Sequence, residues 1–384
     1  MDIVIGTHAL GLGGSETYAL TLAEQLTRLG HGVVLCAVGI GDGATAARER
    51  GVELVSLDAY DGRDCDAIVA QDAGMAFELA RRHPRTPLLF VAHSEEFDRQ
   101  LPPRLPSLVG AVVVLNDRVE RRVRALELDV PVVRLRQPID VTRFKPRSRP
   151  NRQPRRLLLF GNNLDGERLE LVTEVGDHVG IEVLRVGAKG EPTARPEQAI
   201  DSSDIVMGYG RCVLEAMACG RSAYVYDHLG GDGWVTPGSY PSLERDGFGG
   251  RASGDVIDAD RLLADLRRYE GTMGMVNRDL VIGSHRAEHH AQEIVALLRT
   301  LEPAGPSPTE ALGELAWLVR AQWTARAQIE ELEAHIRILD TRLDDERTAT
   351  AEARAAHAAI KRTLRYRIGS ALARPIDRLR RRGT

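Results

Sequence analysis

The residues best placed to do chemistry lie between 208 and 231, GYGRCVLEAMACGRSAYVYDHLGG. A glycine turn at Gly208 and Gly210 leads into a short helical run carrying one acid, Glu215, followed by Gly220, a strand-like AYVY and a further glycine loop. Glycine lets a backbone approach a ligand closely, and the first N–H groups of a helix have no acceptor inside it, so this order suits a bound phosphate. Glu215, one turn into the helix, could accept hydrogen bonds from the vicinal hydroxyls of a ribose. The chemistry implied is recognition of a nucleotide. An ordinary turn–helix–turn connector of an α/β domain carries the same pattern.

A second glycine-rich loop, HALGLGGSE, follows the first strand-like run. Its spacing is not that of the dinucleotide fingerprint, because Glu16 stands where a final Gly or Ala is needed, so a nicotinamide oxidoreductase is disfavoured. A purely structural loop would also explain the glycines. His285, His289 and His290 have helical spacing but no evident third metal ligand, and a solvated helix face is the expectation. Asp64-Cys65-Asp66 spells a D-x-D metal motif, yet it precedes a first-domain strand far from the other motifs and reads as coincidence.

The elements that must position these residues follow from hydrophobic periodicity. Residues 2–6 form an apolar strand, Leu20, Ala23, Leu26 and Leu29 recur at helical spacing, and HGVVLCAVG completes a βαβ unit. Further strands are expected at 52–57, 67–70, 88–92 and 111–115. Such alternation implies a doubly wound parallel sheet. The basic, proline-containing stretch 147–156 reads as a linker, after which strands are expected at 156–160, 182–186, 204–207 and 223–226 and helices near 166–178, 212–219, 260–270 and 284–301. The fold class is therefore α/β with two Rossmann-like domains, 1–150 and 151–302, facing a cleft at the C-terminal ends of both sheets.

A length of 384 residues suits two domains and an extension. The net charge of −4 gives no overall attraction to nucleic acid, and only Lys145, Lys189 and Lys361 are lysines among 51 basic residues, which points to a GC-rich bacterial genome. Cys36, Cys65, Cys212 and Cys219 form no CxxC pair, so free thiols are expected. No signal-peptide pattern or membrane-length apolar run is evident, and a cytoplasmic protein, soluble or peripheral to the membrane, is the expectation.

Beyond EPAGPSPTE the chain becomes helical, with a heptad seam of Leu315, Leu318, Gln322, Ala325, Ile329, Leu332, Ile336, Leu339 and Leu343. A coiled-coil helix over 310–360 and a homodimer through 315–343 are expected, the alternative being an amphipathic helix folded back on the body. The tail 361–384 sets nine cations against the single acid Asp377, interleaved with Leu, Ile and Tyr. That mixture suits an anionic membrane surface at the inner face of the cell membrane, or a solvated tail. RNA is disfavoured by the scarcity of stacking aromatics, so no nucleic-acid partner is expected.

Three motifs together resemble the GT-B fold nucleotide-sugar glycosyltransferases of the retaining group 1 or family-4 class, over about residues 1–302. GLGGSETYALTLAEQLTRLGHGV is similar to the family's G-G-x-E loop and helix, QPIDVTRFKP to its segment before the second domain, and GYGRCVLEAMACG to its donor-site signature. The resemblance implies metal-independent hexosyl transfer from a nucleoside-diphosphate sugar to a glycan, lipid-linked or other cell-surface acceptor, as in polysaccharide biosynthesis, with no cofactor beyond that donor. It places Glu215 on the ribose and Gly210, Arg211 and Cys212 at the diphosphate, with Gly208 also among the donor-binding residues and Gly13 and Gly14 facing the donor or acceptor from the first domain. His93, directly after a strand, and Glu16 would be the catalytic pair.

Two departures accompany the match. Met207 stands where the family has its first signature glutamate, and Asn162 and Glu167 stand where it has phosphate-clamping cations. Two hypotheses follow: an active transferase in which Arg211 or Arg168 supplies the missing cation, or a degenerate nucleotide-binding scaffold working through its helix and basic tail.

Overall fold

A computed structural model gives the structure of the chain and describes all residues except 12, 106, 162, 163, 165, 188–192, 194, 228, 229, 304–308, 363, 364, 366, 370 and 372–384. It comprises two compact units, 1–319 and 320–384. Much of the basic tail thus lies outside the described residues.

The first sheet contains β1 (Asp2–Leu10), β2 (Gly32–Ile40), β3 (Glu53–Ser56), β4 (Ala67–Ala70), β5 (Leu88–Ala92), β6 (Ala111–Val114) and β7 (Val132–Arg134). All seven pair in parallel in the order β3-β2-β1-β4-β5-β6-β7. Runs such as AIVA and LLFVA are apolar at every position because both faces of a parallel sheet are covered. On one face α1 (Gly14–Arg28) buries Tyr18, Leu22 and Leu26, and α2 (Gly43–Glu49) buries Ala46 and Ala47. On the other, α3 (Ala73–Arg82) and α4 (Asp117–Arg124) bury Met75, Leu79, Val119 and Val123. Asp72 and Asn116 cap these two helices by accepting from the Met75 and Val119 amides, 2.9 Å each.

The second sheet, β12-β11-β10-β8-β9, is built from β8 (Arg156–Phe160), β9 (Glu182–Val186), β10 (Ile205–Gly208), β11 (Ser222–Asp227) and β12 (Gly230–Trp234). Between its strands run α5 (Glu167–Val179), α6 (Pro196–Asp201) and α7 (Arg211–Ala218), followed by α8 (Tyr240–Asp246), α9 (Ala259–Arg267), α10 (Met273–Ser284), α11 (Ala287–Leu298) and α12 (Thr309–Arg362). The stretch 230–234, read as a glycine loop, is a strand antiparallel to β11. Pairing with a strand already in place overrides glycine's low strand propensity. Helix α10 carries Gly274, Asn277 and Gly283, which obscure its periodicity in sequence.

Two further expectations are corrected by packing. Helix α11, assigned by sequence to the second domain, returns to the first: Ala291, Ile294 and Leu298 share a core with Tyr18 and Leu26. The proposed seam does not start at Leu315. Leu312 and Ala316 are buried in the core that α3 and α4 share, with Leu315 and Val319 beside them, so the first turns of α12 belong to the body.

The chain passes from the first sheet to the second through 135–151 and returns at 285–287, and these segments are bonded together. The Ile139 amide donates to the His285 carbonyl (2.7 Å), and the Ala287 amide donates to the Ile139 carbonyl (3.0 Å). His285 and His290 are 2% and 3% exposed, which overturns the expectation of a solvated face for both; His289 alone is exposed. His290 Nδ1 lies 3.0 Å from the Arg136 carbonyl and His285 Nδ1 2.8 Å from that of Gln137, so each Nδ1 must carry the proton. Each Nε2 then accepts from a tyrosine hydroxyl, Tyr18 at 2.7 Å and Tyr240 at 2.8 Å.

This clasp requires neutral imidazoles, and burial pushes His285 down to about 4 and His290 to about 3 from 6.5. Below pH 6.5 the unfolded chain binds protons that the folded chain refuses, so stability is present above 6.5 and is lost as pH falls toward 4. Each histidine contributes a slope of up to about 1.4 kcal/mol per pH unit. Urea midpoints measured from pH 7 to 4 should fall steeply in the natural protein and less steeply in a His285→Asn/His290→Asn variant.

Candidate functional site

A cavity of about 430 Å³ opens where the C-terminal ends of the two sheets meet. Its first wall comes from the loop after β1, with Gly11, Gly13 and Gly14 at the start of α1, and from Asp42 and Arg50 at the two ends of α2. Opposite stand Gly161 after β8, Gly187 after β9, and Tyr209, Gly210, Arg211, Cys212 and Glu215 after β10. Strands β8 and β10 are adjacent while their sequence neighbours lie on opposite sides, which makes this edge the switch point of the second sheet.

Helices α1 and α7 both begin at the cavity, so two sets of first-turn amides and two positive dipole ends converge there. Gly210 caps α7 with φ 62° and ψ −133°, a conformation essentially reserved for glycine, and a Cβ there would enter open space. Gly208 has a different reason for being glycine. A Cβ on it would lie 2.3 Å from the Phe160 carbonyl oxygen, so it permits the close approach of β10 to β8, and it does not line the cavity.

Glu215 is 4% exposed, and its carboxylate accepts from Arg211 Nε at 2.8 Å. Burial raises its proton affinity and the Arg211 charge opposes that rise. Burial also raises the Cys212 thiol, whose deprotonation Glu215 further disfavours, so Cys212 lines the wall as a neutral thiol.

The Arg211 guanidinium, expected at the diphosphate, lines the cavity and is bonded to the protein. Each of its three nitrogens donates to protein: Nε to Glu215, Nη1 to the Pro138 carbonyl at 2.8 Å, and Nη2 to Thr21 Oγ1 at 3.3 Å. Arg168 lies 5.7 Å from the Tyr226 ring centroid and is not among the described residues that line the cavity. Asn162 lies outside the described residues. Among the described residues, the cations that line the cavity besides Arg211 are Arg50 and Arg143, which sequence reasoning missed. Nothing local marks Arg50. A signal for Arg143 exists in the motif QPIDVTRFKP: Asp140 accepts from the Thr142 and Arg143 amides (2.9 and 3.2 Å), forming the turn that presents Arg143. Glu197 then holds its guanidinium through Nε and Nη2 at 3.1 and 2.9 Å.

Neither expected catalytic residue lines the cavity among the described residues. Glu16 sits in the first turn of α1, accepting from Ser15 Oγ at 2.9 Å, where its charge complements the helix dipole. His93 follows β5 and packs edge-on against Tyr18, ring centroids 4.8 Å apart. Its Nε2 is buried without a hydrogen-bond partner among the described residues. Burial, reinforced by the nearby His290 and Arg211, lowers its pKa to about 3, leaving it neutral at pH 7. Met207 is fully buried in the core with Leu157 and Tyr224, so it places nothing in the cavity where the family resemblance would put an acid. The Asp66 carboxylate accepts from the Asp2 amide (2.8 Å) at the opposite, N-terminal ends of β1 and β4.

No protein-family model and no curated protein sequence matches the chain. Solved structures do. HepE of Anabaena, determined in complex with UDP and glucose, is 11% identical and superposes with a TM-score of 0.58, covering 78% of this chain and 100% of its own. A glycosyltransferase of Rickettsia africae is 11% identical, with a TM-score of 0.56 and coverage of 78% and 98%. The sucrose-phosphate synthase of Thermosynechococcus elongatus is 13% identical, with a TM-score of 0.52 and the same coverage. The chain therefore has the GT-B fold, two facing α/β domains, followed by the long helix α12.

The backbone at Gly210 offers a direct check on this site. Gly210→Ala should lower stability by about 1–3 kcal/mol, read from a urea midpoint, because φ near 62° with ψ near −133° excludes a Cβ.

Proposed function

We propose that the protein transfers a sugar from a nucleoside-diphosphate sugar to a glycan, lipid-linked or other cell-surface acceptor. The observation that carries this reading is the convergence of two helix N-termini, Arg50, Arg143 and the buried acid Glu215 on one interdomain cavity. A volume of about 430 Å³ falls within the range of small-molecule sites. HepE's complexes with UDP and UDP-glucose support a donor of the same chemical class.

In this reading Glu215 accepts from the ribose hydroxyls. The first-turn amides of α7 and α1, with Arg50 and Arg143, meet the diphosphate, and the charge developing on the leaving group is stabilised by these fixed donors. Such pre-oriented electrostatics typically contribute several kcal/mol to barrier lowering. Metal independence and a retaining, hexosyl-transferring mechanism belong to the same proposal.

The second reading, a nucleotide-binding scaffold without turnover, is favoured by one observation: Met207 is in the core and supplies no sugar-gripping acid. A screen of UDP-, GDP- and ADP-sugars for transfer or hydrolysis separates the two. Turnover on any donor establishes the first reading, and nucleotide binding with no turnover on all of them establishes the second. Calorimetry adds a residue-level check. Arg50→Ala should weaken UDP about tenfold while leaving uridine unchanged, as expected for a cation that meets only the phosphates.

A homodimer through α12 completes the proposal. Ile329, Leu332, Ile336, Leu339 and Leu343 recur at steps of three and four and are 45–63% exposed, which supports pairing with a second copy. Sedimentation should show a dimer for the natural protein and a monomer for Leu332→Glu/Leu339→Glu. The basic segment 361–384 would then serve as a contact to anionic membrane. Among the described residues no helix is long and apolar enough to cross a membrane.

A further inference from the structure

Helix α7 carries at its first position a residue that chemistry would assign to the ligand and geometry assigns to the protein. The Arg211 side chain is 8% exposed. Its Nε holds the Glu215 carboxylate on the next turn of the same helix, its Nη1 reaches the linker carbonyl of Pro138, and its Nη2 reaches Thr21 on α1 of the first sheet. Thr21 is itself 1% exposed and donates to the Thr17 carbonyl at 2.7 Å, so its Oγ1 is fixed before Arg211 meets it. A planar guanidinium with donors at fixed angles can satisfy these acceptors together only when α7, the linker and α1 have one relative placement.

We infer that Arg211 is a positioning residue: it orients the Glu215 carboxylate and ties it to the linker and to α1, so that the acid facing the nucleoside is set only when both halves of the cleft are in register. The Pro138 carbonyl continues the series in which His290 holds Arg136 and His285 holds Gln137. Arg211 therefore connects the domain hinge to the ligand wall. Removing it leaves Glu215 buried without its cation and frees the third linker carbonyl.

The alternative is a phosphate clamp, and the two differ in what they do to a ligand without phosphate and to the protein without ligand. The affinity arm rests on the proposed nucleotide site; the exchange arm does not. For Arg211→Ala, calorimetry should show UDP and uridine weakened by a common factor of about 10–100, because the loss is at the ribose-facing acid. Hydrogen exchange of the ligand-free full chain should quicken at least tenfold at the Ile139 and Ala287 amides, which bond the two linker segments. Thr21→Val, nearly isosteric and outside the ligand wall, should quicken the same amides to a smaller extent, and it decides the matter if Arg211→Ala does not fold.

A fall in UDP affinity alone, with uridine binding and linker exchange as in the natural protein, would overturn the inference in favour of a clamp. Should the natural protein bind none of UDP, GDP, ADP and their nucleosides, the glycosyl-transfer reading fails. The exchange rates of the two variants still decide whether Arg211 positions the hinge.

Discussion

Three consecutive carbonyls, those of Arg136, Gln137 and Pro138, are each taken by a buried donor from the second half of the chain: His290, His285 and Arg211. A linker between domains is ordinarily solvated and free to bend, and here these three carbonyls are satisfied internally. Breaking any of these bonds would leave a buried donor unpaired, which costs about 1–3 kcal/mol. The clasp reaches both domains, since Tyr18 on α1 and Tyr240 on α8 complete the two histidines. These bonds tie the linker to both domains that border the cleft.

Ion pairs across the cleft act on top of that constraint rather than in place of it. Arg251 meets Glu95 and Glu96, and Arg195 meets Glu49, but these side chains are a quarter to more than half exposed. Pairs of that kind contribute about 0–1 kcal/mol each and weaken with salt. Arg134 with Glu244 and Arg118 with Asp246 are better shielded on their acidic side. Together these pairs bridge the two domains alongside the hydrogen bonds on the linker.

The charged groups Arg50, Arg143 and Glu215 that line the cavity each have a partner of opposite charge. The cations Arg50 and Arg143 lean on acids behind the wall, Glu24 at 3.8 Å and Glu197 at 2.9 Å, so their charge is held in place without being carried away from the opening. The acid Glu215 is in turn held by a cation. A ligand with an anionic middle and a polyhydroxyl end matches that arrangement, and the glycine-initiated helices supply the neutral donors between.

Much of the architecture was legible in the chain itself. Apolar runs of four or five residues marked the parallel strands, and the glycine–helix–acid order at 210–215 marked one wall of the cavity, because buried strands and helix N-termini each demand particular residue types locally. Sequence also flagged Gly13, Gly14, Gly210 and Glu215, all of which line the cavity. What it could not carry was partnership across distance. Whether Arg211 meets a phosphate or Thr21, whether His290 faces water or Tyr18, and whether Arg50 belongs to a surface or a binding wall depend on contacts between residues tens to hundreds of positions apart. Residue type and periodicity encode which face of an element is buried; only the tertiary arrangement decides what that face is buried against.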